Sequence, residues 1–91
     1  MNLKLRPSII LKPVNPNCVY ALDCEDTENY FFKFEGVSKI FIESVYEGIE
    51  KSLLQKKVEE MFPAVKAKQI EEDLEDFIKT IQEHNLLSIN P

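Results

Sequence analysis

The sequence predicts an α+β domain, in which a three-stranded antiparallel sheet is followed by a three-helix, winged helix-turn-helix-like bundle. Two observations predict it. Short apolar runs bounded by turn residues fill the chain as far as Gly36, and beyond it apolar residues recur at helical spacing. Strands followed by helices are typical of α+β domains. At 91 residues without an internal repeat, the chain is expected to form a single domain, residues 1–91.

The first two predicted strands are short. Ile9 to Lys12 is the first, and Pro13 and Pro16 are expected to end it in a turn. Proline cannot donate to a ladder, so this strand is expected near a sheet edge. Cys18 to Leu22 is the second strand, and the polar stretch Asp23 to Glu28 is the expected hairpin loop.

The third predicted strand, residues 29–36, carries an aromatic run, which favours a strand. Its central residues are Tyr30, Phe31, Phe32, Lys33 and Phe34. Because side chains alternate between faces, the first, third and fifth of these share one face and the other two point the opposite way. Phe32 and Phe34 are candidates for the core as well as for ligand contact. Phe31 and Lys33 are expected to be exposed or to touch a ligand.

Helical periodicity begins at Val37. The first helix is expected to present one apolar stripe, formed by Val37, Ile40, Phe41, Ser44 and Val45. Gly36 and Ser38 are alternative N-caps, and Gly48 is expected to end the helix.

The second and third helices follow. Ser52 and Gln55 match a capping box, and Pro63 should end the second helix at or before Phe62. The third helix, about Ala67 to His84, has the stripe Ile70, Leu74, Phe77, Ile78 and Ile81. Asn85 is a candidate C-cap, and the segment Leu86 to Ile89 is expected to fold back onto the core.

Composition excludes several function classes. A net charge of −5 disfavours phosphate backbones and anionic lipid, and two glycines do not make a phosphate loop. No apolar run spans a bilayer and no signal peptide is visible, so a cytoplasmic location is expected. Cys18 and Cys24 are expected to be free thiols. We expect no metal and no cofactor, since His84 is the one histidine and lies far from both cysteines in sequence.

No catalytic constellation emerges, so a non-enzyme is expected. His84 lies at a predicted helix end, where histidine commonly meets the last carbonyl groups. Winged-helix DNA binding is the main alternative. In that fold the third helix usually enters the major groove, so its charge decides whether DNA can bind. That helix holds six acids against two bases, namely Glu71, Glu72, Asp73, Glu75, Asp76 and Glu83 against Lys68 and Lys79. Phosphate contacts need cations, so nucleic acid is not an expected partner.

The order of several short motifs resembles the PqqD-like family of peptide recognition elements, over about Ile9 to Ile89. The motifs are Lys12-Pro13, Tyr30-Phe31-Phe32, Ile40-Phe41-Ile42, Glu47-Gly48, Phe62-Pro63, Asp73-Leu74 with Phe77-Ile78, and Asn85-Leu86-Leu87. Members commonly have Leu-Asn and Asp-Gly where this chain has Phe34-Glu35 and Glu47-Gly48. The resemblance therefore does not name the pathway, whether for pyrroloquinoline quinone or for another modified peptide.

The resemblance implies a non-catalytic adaptor. Such proteins hold the leader segment of a ribosomally made precursor peptide and present it to a modifying enzyme, often a radical SAM protein. The leader adds to the third strand and packs against the third helix. The matching residues are Tyr30, Phe31, Phe32, Lys33 and Phe34 on the strand, and Ile70, Glu71, Leu74, Phe77 and Ile78 on the helix. Substituting Phe31 by Ala or Ile78 by Glu is expected to weaken binding without unfolding the chain.

An open sheet edge also fits a strand peptide on physical grounds, because main-chain hydrogen bonds supply affinity and alternate side-chain pockets supply selectivity. An apolar slot with an acidic rim suits a leader with an apolar residue near a Lys or Arg. A homodimer through the same edge stays open, as does a winged-helix protein-interaction domain without a peptide ligand.

Overall fold

The structure is a computed structural model, and it describes residues 1–25 and 31–88. It confirms the α+β class, because a three-stranded antiparallel sheet precedes three helices. In chain order the elements are β1 (Asn2–Leu3), β2 (Ile9–Asn15), β3 (Cys18–Asp23), β4 (Phe31–Glu35), α1 (Val37–Glu47), β5 (Ile49–Glu50), α2 (Lys51–Met61) and α3 (Ala67–Glu83). Residues 26–30, which include half of the predicted 23–28 hairpin loop and Tyr30, lie outside the described residues, as does Ile89.

The main sheet has the order β2-β3-β4, so β4 lies at one edge. The expected end of the first strand at Pro13 is wrong, since β2 continues to Asn15 with a register shift between those two residues. Pro13 is tolerated because β2 is itself an edge strand. The turn closes instead at Asn15, whose Oδ1 accepts a hydrogen bond from the Asn17 N–H at 2.8 Å.

The observed boundaries of the first helix match those predicted from the sequence. α1 begins directly after Gly36 and ends before Gly48, which has φ 93° and donates its N–H to the Val45 carbonyl oxygen. This left-handed conformation suits glycine. α3 ends at Glu83, and His84 is its C-cap residue. The expected C-cap, Asn85, follows one residue later with φ 58°.

The predicted capping box of α2 does not form. Glu50 is the N-cap, no side chain caps the helix, and Ser52 lies inside it. The reason is tertiary: β5 pairs with β1, and the Lys51 N–H donates to the Met1 carbonyl oxygen at 2.8 Å. α2 ends at Met61, as the following Phe62-Pro63 predicts.

The N-terminal segment, for which the sequence predicted no strand, ties the two chain ends to the core. Besides the β1–β5 pair, Leu5 bridges to Leu87, and the Arg6 N–H donates to the Leu86 carbonyl oxygen at 2.9 Å. Leu86 is buried, so the C-terminal segment folds back as expected. Leu3 and Leu5 are buried in the same core as Leu86, so these contacts hold both segments against it.

One hydrophobic core lies between the sheet and the helices. All five stripe residues of α3 are buried in it, namely Ile70, Leu74, Phe77, Ile78 and Ile81. Within residues 1–25 and 31–88, no helix has both the length and the apolar character needed to cross a bilayer.

Candidate functional site

The open edge of β4 has main-chain groups directed away from the sheet. The Gly36 N–H donates to the Asn17 carbonyl oxygen at 3.1 Å, in register with the β3–β4 ladder. Because main-chain groups alternate in direction along an antiparallel strand, every second residue of β4 bonds toward β3. The others direct N–H and C=O to the open edge, where no described strand pairs with them. They are Phe31, Lys33 and Glu35.

The side chains of β4 alternate as the sequence predicts. Phe34 is buried at 6% exposure, and Phe32 is half-buried against the core. Phe31 is 60% exposed and Lys33 is also exposed, on the outer face of the sheet. The three edge-directed residues therefore turn their side chains outward, and the intervening pair faces the helices.

A groove of about 380 Å³ runs between β4 and α3. Its lining residues are Lys33, Phe34, Glu35, Val37, Ser38, Asp73, Asp76, Phe77 and Thr80. The rings of Phe34 and Phe77 meet edge to face with centroids 5.8 Å apart, and Phe77 also packs on Phe41 at 5.2 Å. These aromatic contacts fix the spacing of strand and helix beside the groove.

The helix wall of the groove is acidic. Asp73, Asp76, Phe77 and Thr80 are spaced i, i+3, i+4 and i+7, which places them on one face of α3. The Thr80 hydroxyl donates to the Asp76 carbonyl oxygen at 3.0 Å, and the Gln69 amide donates to the Asp73 carboxylate at 2.9 Å. No cation in the described part of the chain pairs with either carboxylate. The groove therefore offers unneutralised negative charge to a ligand.

Lys33 stands at the strand side of the same groove. Its ammonium lies 3.5 Å from the Glu35 carboxylate, and both side chains are about half exposed. The negative charge of Glu35 raises the pKa of Lys33, which stays protonated at neutral pH. Lys33 therefore presents a fixed positive charge on the outer side of the open edge.

Most predicted ligand residues of α3 do not line this groove. Phe77 does, but Leu74 and Ile78 lie in the core, Ile70 lines a different pocket, and Glu71 is exposed elsewhere on the helix. Ile78 is only 5% exposed, so introducing Glu there would bury a charge and unfold the chain. The burial of Ile78 therefore argues against the expectation that Ile78→Glu leaves the fold intact.

Sequence reasoning missed the groove residues Asp73, Asp76 and Thr80. Their signal was present, because they flank Phe77 at helical spacing on one side of the apolar stripe. The two flanks of a helix stripe look alike in sequence, and only the crossing of α3 over the sheet selects one of them.

The C-terminal end of α3 also meets β4. The rings of His84 and Phe32 lie with centroids 4.4 Å apart, and the His84 N–H donates to the Thr80 carbonyl oxygen at 3.1 Å. This bond comes from the main-chain N–H of His84, the C-cap residue of α3, and its imidazole packs beside the strand against Phe32. Within residues 1–25 and 31–88, no three His, Cys, Asp or Glu side chains are grouped to hold a metal ion. Cys18 and Cys24 are free thiols.

Comparison with protein-family models, curated proteins and solved structures gives no match to this chain.

Proposed function

We propose that this protein is a non-catalytic adaptor that binds a peptide as an added strand on β4, against α3. The observation that carries the proposal is the open β4 edge beside an acidic groove with an aromatic floor. An edge strand left unpaired invites association, so proteins either block it or use it. Here the edge-directed groups adjoin a groove of a size suited to side chains, which favours use.

The strand geometry defines how the peptide binds. Its N–H and C=O groups bond to those of Phe31, Lys33 and Glu35 along the edge. A peptide residue opposite Lys33 points outward beside the lysine, and its two neighbours point inward to the groove. Opposite charges across a strand pair are favourable, so an acidic residue suits the position opposite Lys33.

Inward-facing peptide residues meet two surfaces. The rings of Phe34 and Phe77 offer an apolar floor, and Asp73 and Asp76 offer acceptors without a cation in the described chain. A large apolar side chain followed closely by Lys or Arg satisfies both. This is the ligand composition that an acidic chain with a net charge of −5 also attracts over longer distances.

The biological ligand that we propose is the leader segment of a ribosomally made precursor peptide. The bound leader is presented to a modifying enzyme in the cytoplasm, a radical SAM protein being one candidate. Support comes from the resemblance of the motif order to PqqD-like proteins and from the open edge that such binding requires. The pathway and the product are not specified by either.

Duplex DNA binding by α3 is less consistent with the surface. Five acids on this helix are exposed, namely Glu71, Glu72, Glu75, Asp76 and Glu83. Each would face phosphate or remain near it if α3 entered the major groove, where cations are needed.

The test uses peptide selection and one backbone variant. Peptides from short reading frames beside the gene, together with a random phage-displayed library, are selected on the intact chain, and affinities are measured by fluorescence titration. Lys33→Pro removes an N–H that points to the open edge and leaves the β3–β4 bonds in place. Lys33→Ala is the control, because it removes the side chain and keeps the N–H.

We expect Lys33→Pro to weaken peptide binding roughly tenfold or more relative to Lys33→Ala. Circular dichroism should show that both variants are folded. If both variants bind the selected peptides equally well, or if no peptide is selected, strand addition at β4 is refuted.

A further inference from the structure

A second pocket, of about 370 Å³, opens beyond the Glu35 end of β4. It lies where the β2–β3 turn, the start of α1, the end of α2 and the start of α3 converge. Its lining is mainly apolar, and the apolar side chains are Pro16, Val37, Ile40, Val58, Phe62, Val65 and Ile70. None of these residues except Ile70 was singled out as part of a site by the sequence.

This pocket adjoins the β4–α3 groove. Val37 and Asp73 line both, so a chain that leaves the groove at its Glu35 end reaches the pocket directly. Gly36 also lines it, and this residue has no side chain to narrow the passage. Groove and pocket therefore form one continuous surface along α3, acidic at the strand and apolar beyond it.

The polar groups at the pocket already have partners. The Lys39 ammonium lies 2.9 Å from the Glu43 carboxylate, and the Asp73 carboxylate accepts from Gln69 at 2.9 Å. The Gly36 N–H bonds to the Asn17 carbonyl oxygen. The Lys39 charge is therefore neutralised, whereas Asp73, at the border with the groove, keeps the negative charge described above. The pocket surface that remains available to a ligand is mainly apolar, and it includes Val65, which is 41% exposed.

We propose that this pocket holds one bulky apolar side chain, aromatic or as large as Leu or Met, on the same peptide that adds to β4. This inference rests on the proposed function. The anchor residue lies outside the paired segment, on the Glu35 side. In a peptide antiparallel to β4 it precedes the paired segment in sequence, and in a parallel one it follows it. The pocket thus fixes register, which strand pairing alone leaves weakly specified.

The experiment uses edge-dependent peptides selected on the intact chain, meaning those that bind Lys33→Ala and not Lys33→Pro. Val65→Asp places a charge at the pocket, at an exposed position where the fold tolerates it. Val14→Asp is the matched control, because Val14 is 53% exposed on β2 and does not line the pocket. Affinities are measured by titration, and folding by thermal denaturation.

We expect Val65→Asp to weaken binding at least tenfold, whereas Val14→Asp binds like the unmodified chain. Replacing the peptide's anchor residue by Ala should cause a similar loss of affinity. Because both changes remove the same contact, the fold-loss in affinity for the combined changes should be smaller than the product of the two single fold-losses. Unchanged affinity in Val65→Asp for edge-dependent peptides would overturn the pocket assignment and leave strand addition intact. Absence of any edge-dependent peptide would overturn both.

Discussion

The ring of Phe34 lies edge to face against the ring of Phe77, with 5.8 Å between their centroids. This contact joins the open-edge strand to the long helix and sets the width of the groove between them. Both rings are almost fully buried, yet each also lines the groove. The same two residues therefore stabilise the fold and shape the proposed ligand surface.

Phe77→Ala should destabilise the protein strongly, because it leaves a cavity beneath the groove and removes ring contacts with Phe34 and Phe41. We expect a loss of about 3–5 kcal/mol in the free energy of unfolding, measured by urea denaturation. Phe31→Ala is the comparison: its side chain is 60% exposed and loses mainly the ring pair with Tyr20, at 5.1 Å. A similar loss in both variants would contradict this assignment of core and surface aromatics.

Asp76→Asn should weaken binding of selected peptides that carry Lys or Arg. The carboxylate is exposed, so the expected loss is modest, about two- to fivefold, and should diminish with added salt. Glu72→Gln is the matched control, because Glu72 is an exposed acid of α3 that does not line the groove. Equal losses in the two variants would indicate general electrostatic attraction instead of a contact in the groove.

Asp23→Asn tests a pH-dependent link between the sheet and the chain ends. The Glu25 N–H lies 3.0 Å from the Asp23 carboxylate, and the Arg6 guanidinium bonds it at 2.9 Å while also reaching the Asn85 carbonyl oxygen at 2.7 Å. The bond from the Glu25 N–H is the main cause that lowers the pKa of Asp23, with contributions from Ser8 and Arg6. A carboxyl whose pKa is lower in the folded than in the unfolded state stabilises the fold at pH values above the unfolded pKa.

The stability difference between the unmodified chain and Asp23→Asn should therefore be present at pH 7. It should disappear as the pH falls below about 4 and through the folded pKa. Urea denaturation at several pH values measures it. A difference that grows on acidification would show that the sign is wrong.

Position 85 should tolerate substitution by Gly, whereas a β-branched residue there should destabilise the fold. It has φ 58°, directly after α3, where left-handed backbone closes the helix. Asn85→Gly should leave stability unchanged or slightly higher, and Asn85→Val should lower it by about 1–2 kcal/mol. The Arg6 bond to residue 85 involves the main-chain oxygen and persists in both variants. Equal melting temperatures for the two variants would contradict a backbone origin of the effect.

Much of the fold follows from local sequence signals. Alternation in the run from Phe31 to Phe34 gives the correct faces, and the stripe from Ile70 to Ile81 gives the buried side of α3. Gly48 and Pro63 mark helix ends because their backbone chemistry acts within a few residues. These features depend on neighbours in sequence, so the sequence predicts them.

Tertiary structure alone decided the rest, since it depends on residues distant in sequence. The Met1 carbonyl oxygen receives the Lys51 N–H, which displaces the capping box expected at Ser52. Likewise, the angle at which α3 crosses the sheet brings Asp73, Asp76 and Thr80 to β4 and leaves Ile78 in the core. Sequence periodicity identifies which side of a helix is apolar, but a groove forms only where two elements meet, and their meeting is set by packing of the whole core.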